Sequence, residues 1–472
     1  MVYLIIILYI AFTFFGSLVG RKKTDTPEGY FLANRNLKTL SLFFTILATN
    51  FSAFYFLGFA GEAYRIGYAY YTIMALGTSL ACLSFFVIGS KVWKLGKEGG
   101  HITPSELIYS KTGSKPLSIV YATVMVVFTF PYLALQIVGA GYIMESITGG
   151  EVPYFLGATI LTAITIIYVF LGGMHSVAKT DLKQGVIMAV LMLAAVYVIS
   201  DQLGGFELAN LKVAELKPEL FDREGADSFY TPQKWFSFLI FWFFCIPMFP
   251  QLFMRFYVAK KLDHLKKAAL LYATVPLFIS ILPVIIGVFG HLTFPGLEGK
   301  DADQILPQML IAHSSPWFAA LVMTGALAAF MSTLDSQLLA LGTIVSRDFG
   351  FQARSTDLKA QVKFGRIAIL IIAVIGLAIA YQPPATIFDM GKLAFAGLSV
   401  LFPVTFFILR MGGVPAAWGL ISIAVGEFLL VGFYYGLVPI EWAFGFEVFI
   451  PVITLSFLIC AIGKISRKAA TS

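Results

Sequence analysis

The sequence predicts an all-α polytopic membrane protein, and three observations carry that reading. Of 472 residues, 58% are hydrophobic and only 12% charged, with a mean hydropathy of +0.85, a balance that no soluble domain requires. Apolar runs of about 18 or more residues, each able to cross ~30 Å of hydrocarbon, recur along nearly the whole chain; an outer-membrane barrel would show alternating segments of ~10 residues instead. The Lys and Arg residues gather in alternate loops, as the positive-inside rule demands.

Thirteen transmembrane helices follow, at about 2–20, 39–64, 67–95, 115–147, 153–172, 177–203, 233–258, 264–294, 315–349, 362–382, 386–410, 413–436 and 439–463. They form one domain, 1–472, without a linker or soluble insert. The first has no basic stretch before it and no cleavage site, and Arg21-Lys22-Lys23 follow it. It therefore reads as an anchor with its N-terminus outside, not a signal peptide. Thirteen crossings put the C-terminus inside. Of 33 basic residues, 26 fall on the proposed inner side, in 21–38, 91–115, 173–183, 255–267, 347–366, at Arg410 and in 464–472. The net charge of +7 is this bias and implies no nucleic-acid partner. Cys82, Cys245 and Cys460 lie in apolar runs without metal spacing, which argues against redox chemistry. No His/Asp/Glu cluster has catalytic spacing, which argues against an enzyme. His101, His175, His264, His291 and His313 sit near loops or helix ends and are expected to be solvated.

Two spans read as broken. The seventh contains Pro247 and Pro250, and interior prolines free carbonyls that are tolerated at membrane depth where they line a cavity. The second carries Thr49-Asn50-Phe51-Ser52 at mid-depth, so its break rests on polar residues alone. Counted from the second span, the broken helices open two five-helix halves, about 39–203 and 233–410, leaving 2–20, 413–436 and 439–463 peripheral. Interrupted helices at matching positions point to a transport site; ordinary Pro-kinked packing is the alternative.

The ninth span carries a polar knot, Ala329-Phe330-Met331-Ser332-Thr333-Leu334-Asp335-Ser336. Ser332, Asp335 and Ser336, at i, i+3 and i+4, share one helix face, with Thr333 about 100° round. Polar groups inside a membrane helix mark an ion pathway, and hard oxygen donors suit Na⁺ rather than a soft metal. The alternative has the hydroxyls bonding back to their own helix, with Asp335 in an aqueous vestibule.

Taken in order, Tyr30-Phe31-Leu32-Ala33-Asn34-Arg35, Ala48-Thr49-Asn50-Phe51-Ser52-Ala53, Leu171-Gly172-Gly173 through Thr180-Asp181 to Gln184, Pro250-Gln251-Leu252-Phe253-Met254-Arg255 and the Met331–Ser336 motif resemble the sodium:solute symporter family. The likeness covers nearly the whole chain. It implies a LeuT-like 5+5 inverted-repeat core with one helix before it and two after, matching the count above. It also implies a sodium site made by the carbonyls of Ala48, Phe51 and Ala329 and the hydroxyls of Ser332 and Thr333. Some members bind a second sodium nearer the cytoplasm. The matching positions are Asp181, Asp335 and Ser336, and a carboxylate at 335 leaves open whether a second cation or a proton sits there.

The resemblance places the substrate cavity between the second, third, seventh and eleventh spans, with Asn50, Ser52, Phe54, Tyr55, Met74, Trp242 and Phe395 as its candidates. Asn50 stands where proline symporters carry an aspartate. Tyr55 and Met74 stand where sugar-transporting members place Gln and Glu, which disfavours a sugar. Core packing competes for any one aromatic in a chain with 46 Phe. The expected function is a sodium-coupled symporter of the plasma membrane, with Na⁺, a small organic solute and membrane lipid as its partners. It would import a monocarboxylate or a proline-like amino acid by alternating access. A proton-coupled symporter of the same fold, with Asp181 or Asp335 as the carrier, and an uncoupled channel or sensor are the rivals. The lack of an appended regulatory domain argues against the sensor.

Overall fold

The computed structural model describes residues 2–19, 26–349 and 358–469. Arg21, Lys22, Lys23 and Arg354 lie outside the described residues, and of Gly172, Gly173, His175 and Thr180 only the helical backbone is described. The long helices in chain order are α1 Val2–Val19, α2 Thr39–Asn50 with Phe54–Ile66, α3 Ala69–Gly99 and α4 Lys115–Ile147. Next come α5 Tyr154–Gln202, α6 Pro232–Met248 with Pro250–Val258, α7 Leu262–Leu292 and α8 Pro316–Asp348. The chain ends with α9 Leu358–Tyr381, α10 Ile387–Arg410, α11 Ala416–Tyr434 and α12 Phe449–Ala469. Among the described residues, nine helices are long and apolar enough to cross a membrane, and two bent pairs raise this to as many as eleven. The protein is a multi-pass membrane protein.

Two expected boundaries differ. The spans expected at 153–172 and 177–203 lie in one helical run of 49 residues. No proline interrupts it, so the Gly172-Gly173 pair alone does not end the helix. The last span begins at Phe449, not near 439, because Gly436, Phe444 and Gly445 adopt positive φ and hold 436–448 in turns. Exposed Tyr435 at the end of α11 and Trp442 within that segment are the amphipathic rings found at membrane interfaces.

Both expected breaks occur. α2 bends by 59° and α6 by 62°. In α6 the cause is Pro247 and Pro250, with Phe249 extended between them at φ −61° and ψ 125°. In α2 Phe51 leaves helical geometry at ψ 88°. The N–H of Ala53, freed by the break, donates to Gln136 Oε1 at 2.8 Å. Gln136 is fully buried on α4 and anchors itself through Nε2 to Tyr132 O at 3.1 Å. A buried glutamine thus supplies what water cannot at this depth. Outside the helices, Leu37 pairs with Ala259 in an isolated parallel bridge, tying the approach to α2 to the end of α6.

Burial separates core from periphery: 83% of the apolar window is buried in α8 and in α10, against 39% in α11 and 33% in α12. Glycines set the closest contacts of this core. A Cβ on Gly287 of α7 would lie 2.1 Å from Ala60 O of α2, and one on Gly77 of α3 would lie 2.5 Å from Trp242 Cδ1 of α6. Gly365 of α9, by contrast, has no neighbour nearer than 3.6 Å. Gly287→Ala should therefore cost about 1–3 kcal/mol through overpacking and lower the melting temperature in detergent by several degrees. Gly365→Ala should leave it nearly unchanged. Equal melting temperatures for the two variants would refute the packing assignment.

Candidate functional site

The polar residues of α8 meet the break of α2. Thr333 Oγ1 donates to Ala48 O at 3.3 Å and to Thr49 O at 3.2 Å, two of the carbonyls that the break leaves available. Ser332 Oγ donates to Asp181 Oδ1 of α5 at 2.5 Å, and Thr45 of α2 donates to the other carboxylate oxygen. Ala329 precedes Thr333 by one helical turn, and Phe51 is the residue at which α2 breaks; both are buried. Carbonyl and hydroxyl oxygens 3.2–3.3 Å apart are spaced like neighbouring ligands of a hard cation coordinated at about 2.4 Å.

A cation already stands beside this cluster. Arg255 of α6 is 1% exposed. Its Nη2 donates to Ser336 Oγ at 2.7 Å and to Thr49 Oγ1 at 3.4 Å, and lies 3.8 Å from Asp181 Oδ2. Its Nη1 reaches Met174 Sδ at 3.1 Å. Ser336 Oγ donates in turn to Asp335 Oδ1 at 3.1 Å. Arg255 is therefore not an inner-loop cation, as the charge count treats it, but part of the membrane interior. A cation that the structure sets near Asp181 is Arg255. Asp181, Asp335 and Arg255 thus gather charged groups in the buried interior. Buried charges are costly at membrane depth unless partners, a cation or a proton offset them.

On the other side of the α2 break lies a cavity of about 30 Å³, room for little more than a water molecule. Asn50, Phe54, Tyr55, Trp242 and Phe395 line it, as do Thr78 of α3, Tyr132 of α4, Phe249 of α6 and Ser280 of α7. Ser52 and Met74 do not. Ser52 is fully buried and accepts from Tyr132 OH at 3.5 Å. Met74 is fully buried and its carbonyl receives the Thr78 hydroxyl at 2.6 Å. Reading α3 one turn further would have found Thr78, but no sequence signal singles out Tyr132. The lining is aromatic: Phe51 stacks on Tyr55 with ring centroids 4.1 Å apart, and Phe54 meets Phe395 edge-on at 5.1 Å. Trp242 Nε1 is buried without a hydrogen-bond partner among the described residues, and Tyr55 OH is buried beside Ser280.

The four histidines with described side chains are not simply solvated. His101 bonds Ser110, His264 bonds Thr39, His291 bonds Tyr64 O and His313 bonds Thr293. None joins a group of three or more His, Cys, Asp or Glu among the described residues.

The profile of the sodium:solute symporter family matches residues 30–422. The chain belongs to the sodium:solute symporter family. It is 27% identical to the sodium/pantothenate symporter of Haemophilus influenzae over 408 residues, covering 84% of this chain and 82% of that protein. It is 27% identical to a sodium/proline symporter of Staphylococcus aureus over 484 residues, covering 99% and 92%. Among solved structures, a Na⁺-coupled sialic acid symporter, substrate-bound and outward-open, superposes with a TM-score of 0.79 at 14% identity, covering 98% of this chain and 96% of that one. A nucleobase-cation-symport-1 family transporter, closed around bromovinylhydantoin, gives 0.63 at 14% identity, covering 95% and 96%. These neighbours have the LeuT fold, and the symporter shares it.

At its cation-poor end a loop packs onto the start of α10. Asp303, in the short turn Gly299–Gln304, is 1% exposed. Its Oδ2 accepts the Ile387 N–H at the start of α10 at 2.8 Å, and its Oδ1 lies 3.8 Å from Arg65 Nη1. Below it Phe54 of α2 stacks with Phe388 of α10 at 5.8 Å. Burial pushes the Asp303 carboxyl up from 3.8 to about 7, although Arg65 and the Ile387 N–H pull the other way. A raised carboxyl binds its proton when enclosed and releases it when opened to water. Its contribution to closure is therefore full below pH 3.8 and lost as pH rises through about 7. With the native cysteines replaced and Thr78→Cys introduced, labelling by an impermeant thiol reagent should slow from pH 8 to pH 6 by several-fold more than the roughly 80-fold that thiol ionisation alone gives. This slowing should exceed the thiol's own ionisation slope, measured with Asp303→Asn. Identical slopes in the two proteins would remove Asp303 from gating.

Proposed function

We propose that the protein is a Na⁺-coupled importer of a small carboxylate-bearing solute, with one Na⁺ moving per cycle. The observation that carries this is the α2 break, where the Ala48 and Thr49 carbonyls meet the Thr333 hydroxyl of α8 beside the Ser332–Asp181 pair. Arg255 stands where a second cation would bind, which is why we assign a single Na⁺. Ala48, Phe51, Ala329, Ser332 and Thr333 are its proposed ligands, while Asp181, Asp335 and Ser336 form the charged and hydroxyl surround. In the topology we favour, thirteen crossings place the N-terminus outside and the cation-rich end in the cytoplasm. We place the protein in the plasma membrane.

The solute class follows from the buried donors Tyr55 OH and Trp242 Nε1 in a cavity lined by no basic side chain. Both would bond a carboxylate, and the aromatic walls would take a compact apolar body. Proline and pantothenate, named for two relatives, each carry a carboxylate. A monocarboxylate or a proline-like amino acid fits this cavity better than a sugar.

One inward Na⁺ gains about 2.3 kcal/mol per 100 mV and about 1.4 kcal/mol per tenfold gradient. A zwitterion would draw on both terms, whereas a monoanion moving with one Na⁺ is electroneutral and draws on the gradient alone.

Ser332→Ala or Thr333→Ala should raise the Na⁺ concentration for half-maximal uptake at least about tenfold. Unchanged sodium activation in both would sink the site. Asp335→Asn should alter sodium activation or flatten the pH dependence of uptake; if both curves keep their shape and only expression falls, Asp335 is structural. Tyr55→Phe and Trp242→Phe should each weaken uptake about tenfold or more, the cost of a lost hydrogen bond to a charged group. In competition, carboxylates should outperform their amides, and a sugar as best competitor would refute the cavity reading.

A further inference from the structure

Among the described residues, a cationic recess lies away from both the ion cluster and the cavity. At the end of the bundle richest in Lys and Arg, a groove of about 550 Å³ opens between the end of α3, the turn joining α10 to α11, and the tail of α12. Lys91, Lys94, Lys111 and Arg467 line it, and Glu98 is the one carboxylate among its described lining residues. Glu98 offsets little, since it lies 4.0 Å from Lys94 with both side chains more than half exposed. The α10–α11 turn passes through Gly412 and Gly413 at φ 80° and 102°. The Arg467 guanidinium lies against it, with Nη1 3.4 Å from where a Gly413 Cβ would be. The start of α11 at Pro415 has no side-chain cap and opens into the same groove.

From this groove an apolar track leads away. Ala417, Ile421, Ala424 and Phe428 are exposed on one face of α11 at i, i+4, i+7 and i+11, with Ile421 45% and Phe428 72% exposed. In a membrane helix such a face meets acyl chains. Cations at the helix ends above a lipid-facing stripe are the arrangement that takes an anionic lipid headgroup.

We propose that this groove binds the phosphate of an anionic phospholipid, whose acyl chain lies along the Ala417–Phe428 face. The shared chemistry is a phosphate. The apolar track favours the lipid over a free anion.

The test is melting of the purified full-length protein in zwitterionic detergent, titrated separately with phosphatidylglycerol, phosphatidylcholine and inorganic phosphate. Phosphatidylglycerol should raise the melting temperature saturably, and the other two should not. In the fourfold variant Lys91→Gln, Lys94→Gln, Lys111→Gln, Arg467→Gln, the half-saturating lipid concentration should rise at least about tenfold. A matched variant at the distant Lys212 and Lys217 should keep the wild-type value. If the fourfold variant is not recovered, Lys94→Gln and Lys111→Gln, both at exposed positions, should each weaken the titration. An equal shift by inorganic phosphate would make this a soluble-anion site and overturn the lipid assignment. An undiminished phosphatidylglycerol effect in the variants would overturn the site itself. Neither result bears on sodium coupling, because none of the four residues contacts the ion cluster.

Discussion

The structure depends on how α2 survives being broken in the middle of a membrane. An interrupted helix leaves carbonyls and N–H groups unpaired where no water reaches them. The break is repaired from two sides. Gln136 of α4 takes the Ala53 N–H, and Thr333 of α8 donates to the carbonyls of Ala48 and Thr49. The first repair is complete with protein atoms. The second leaves lone pairs of those carbonyls turned toward α8, and that incompleteness is what a cation can use. An unbroken helix would have spent these oxygens on its own ladder.

The same break explains why ion and solute can be coupled. Thr49 and Asn50 are adjacent in sequence, end the helical half before the bend, and face different ways. Thr49 meets Arg255 and Ser336 in the charged cluster, whereas Asn50 and Tyr55 line the aromatic cavity. A change in how α2 sits against α8 therefore moves both sites together. A cation with unequal affinity for the two arrangements biases which one the solute meets. Gly391 of α10, where a Cβ would lie 2.5 Å from Phe54, lets this aromatic layer close tightly, and Asp303 closes it from above.

Much of this was legible in the chain, and the gaps have physical causes. Hydroxyls and a carboxylate at helical spacing inside an apolar run have few explanations, so Ser332, Thr333, Asp335 and Ser336 stood out. Pro247 and Pro250 announced their break directly. Periodicity could not reveal Arg255, because a basic residue near a helix end looks like an interfacial anchor until the partner helices are in place. Met74 and Thr78 differ by one turn on one helix face, and only the approach of α6 and α7 decides which of them reaches the cavity. Gly172-Gly173 suggested a loop because glycine is a weak helix former, yet a pair of glycines without proline lowers helix stability by only about 2 kcal/mol, which packing along a long helix outweighs.

Arg255 also constrains the order of events. A buried guanidinium is stable only while its carboxylate partners remain, so Asp181 cannot leave the cluster without stranding a charge. Asp181 is further held by Thr45 and Ser332. α2, α5, α6 and α8 are thus joined through one carboxylate. The broken half of α6 that carries Arg255 is tied through Ala259 to Leu37 at the approach to α2. Rocking of the two broken helices would keep this ion network at its pivot, where the least rearrangement of buried charge is needed, while the aromatic layer on one side and the cation-rich end on the other take up the motion.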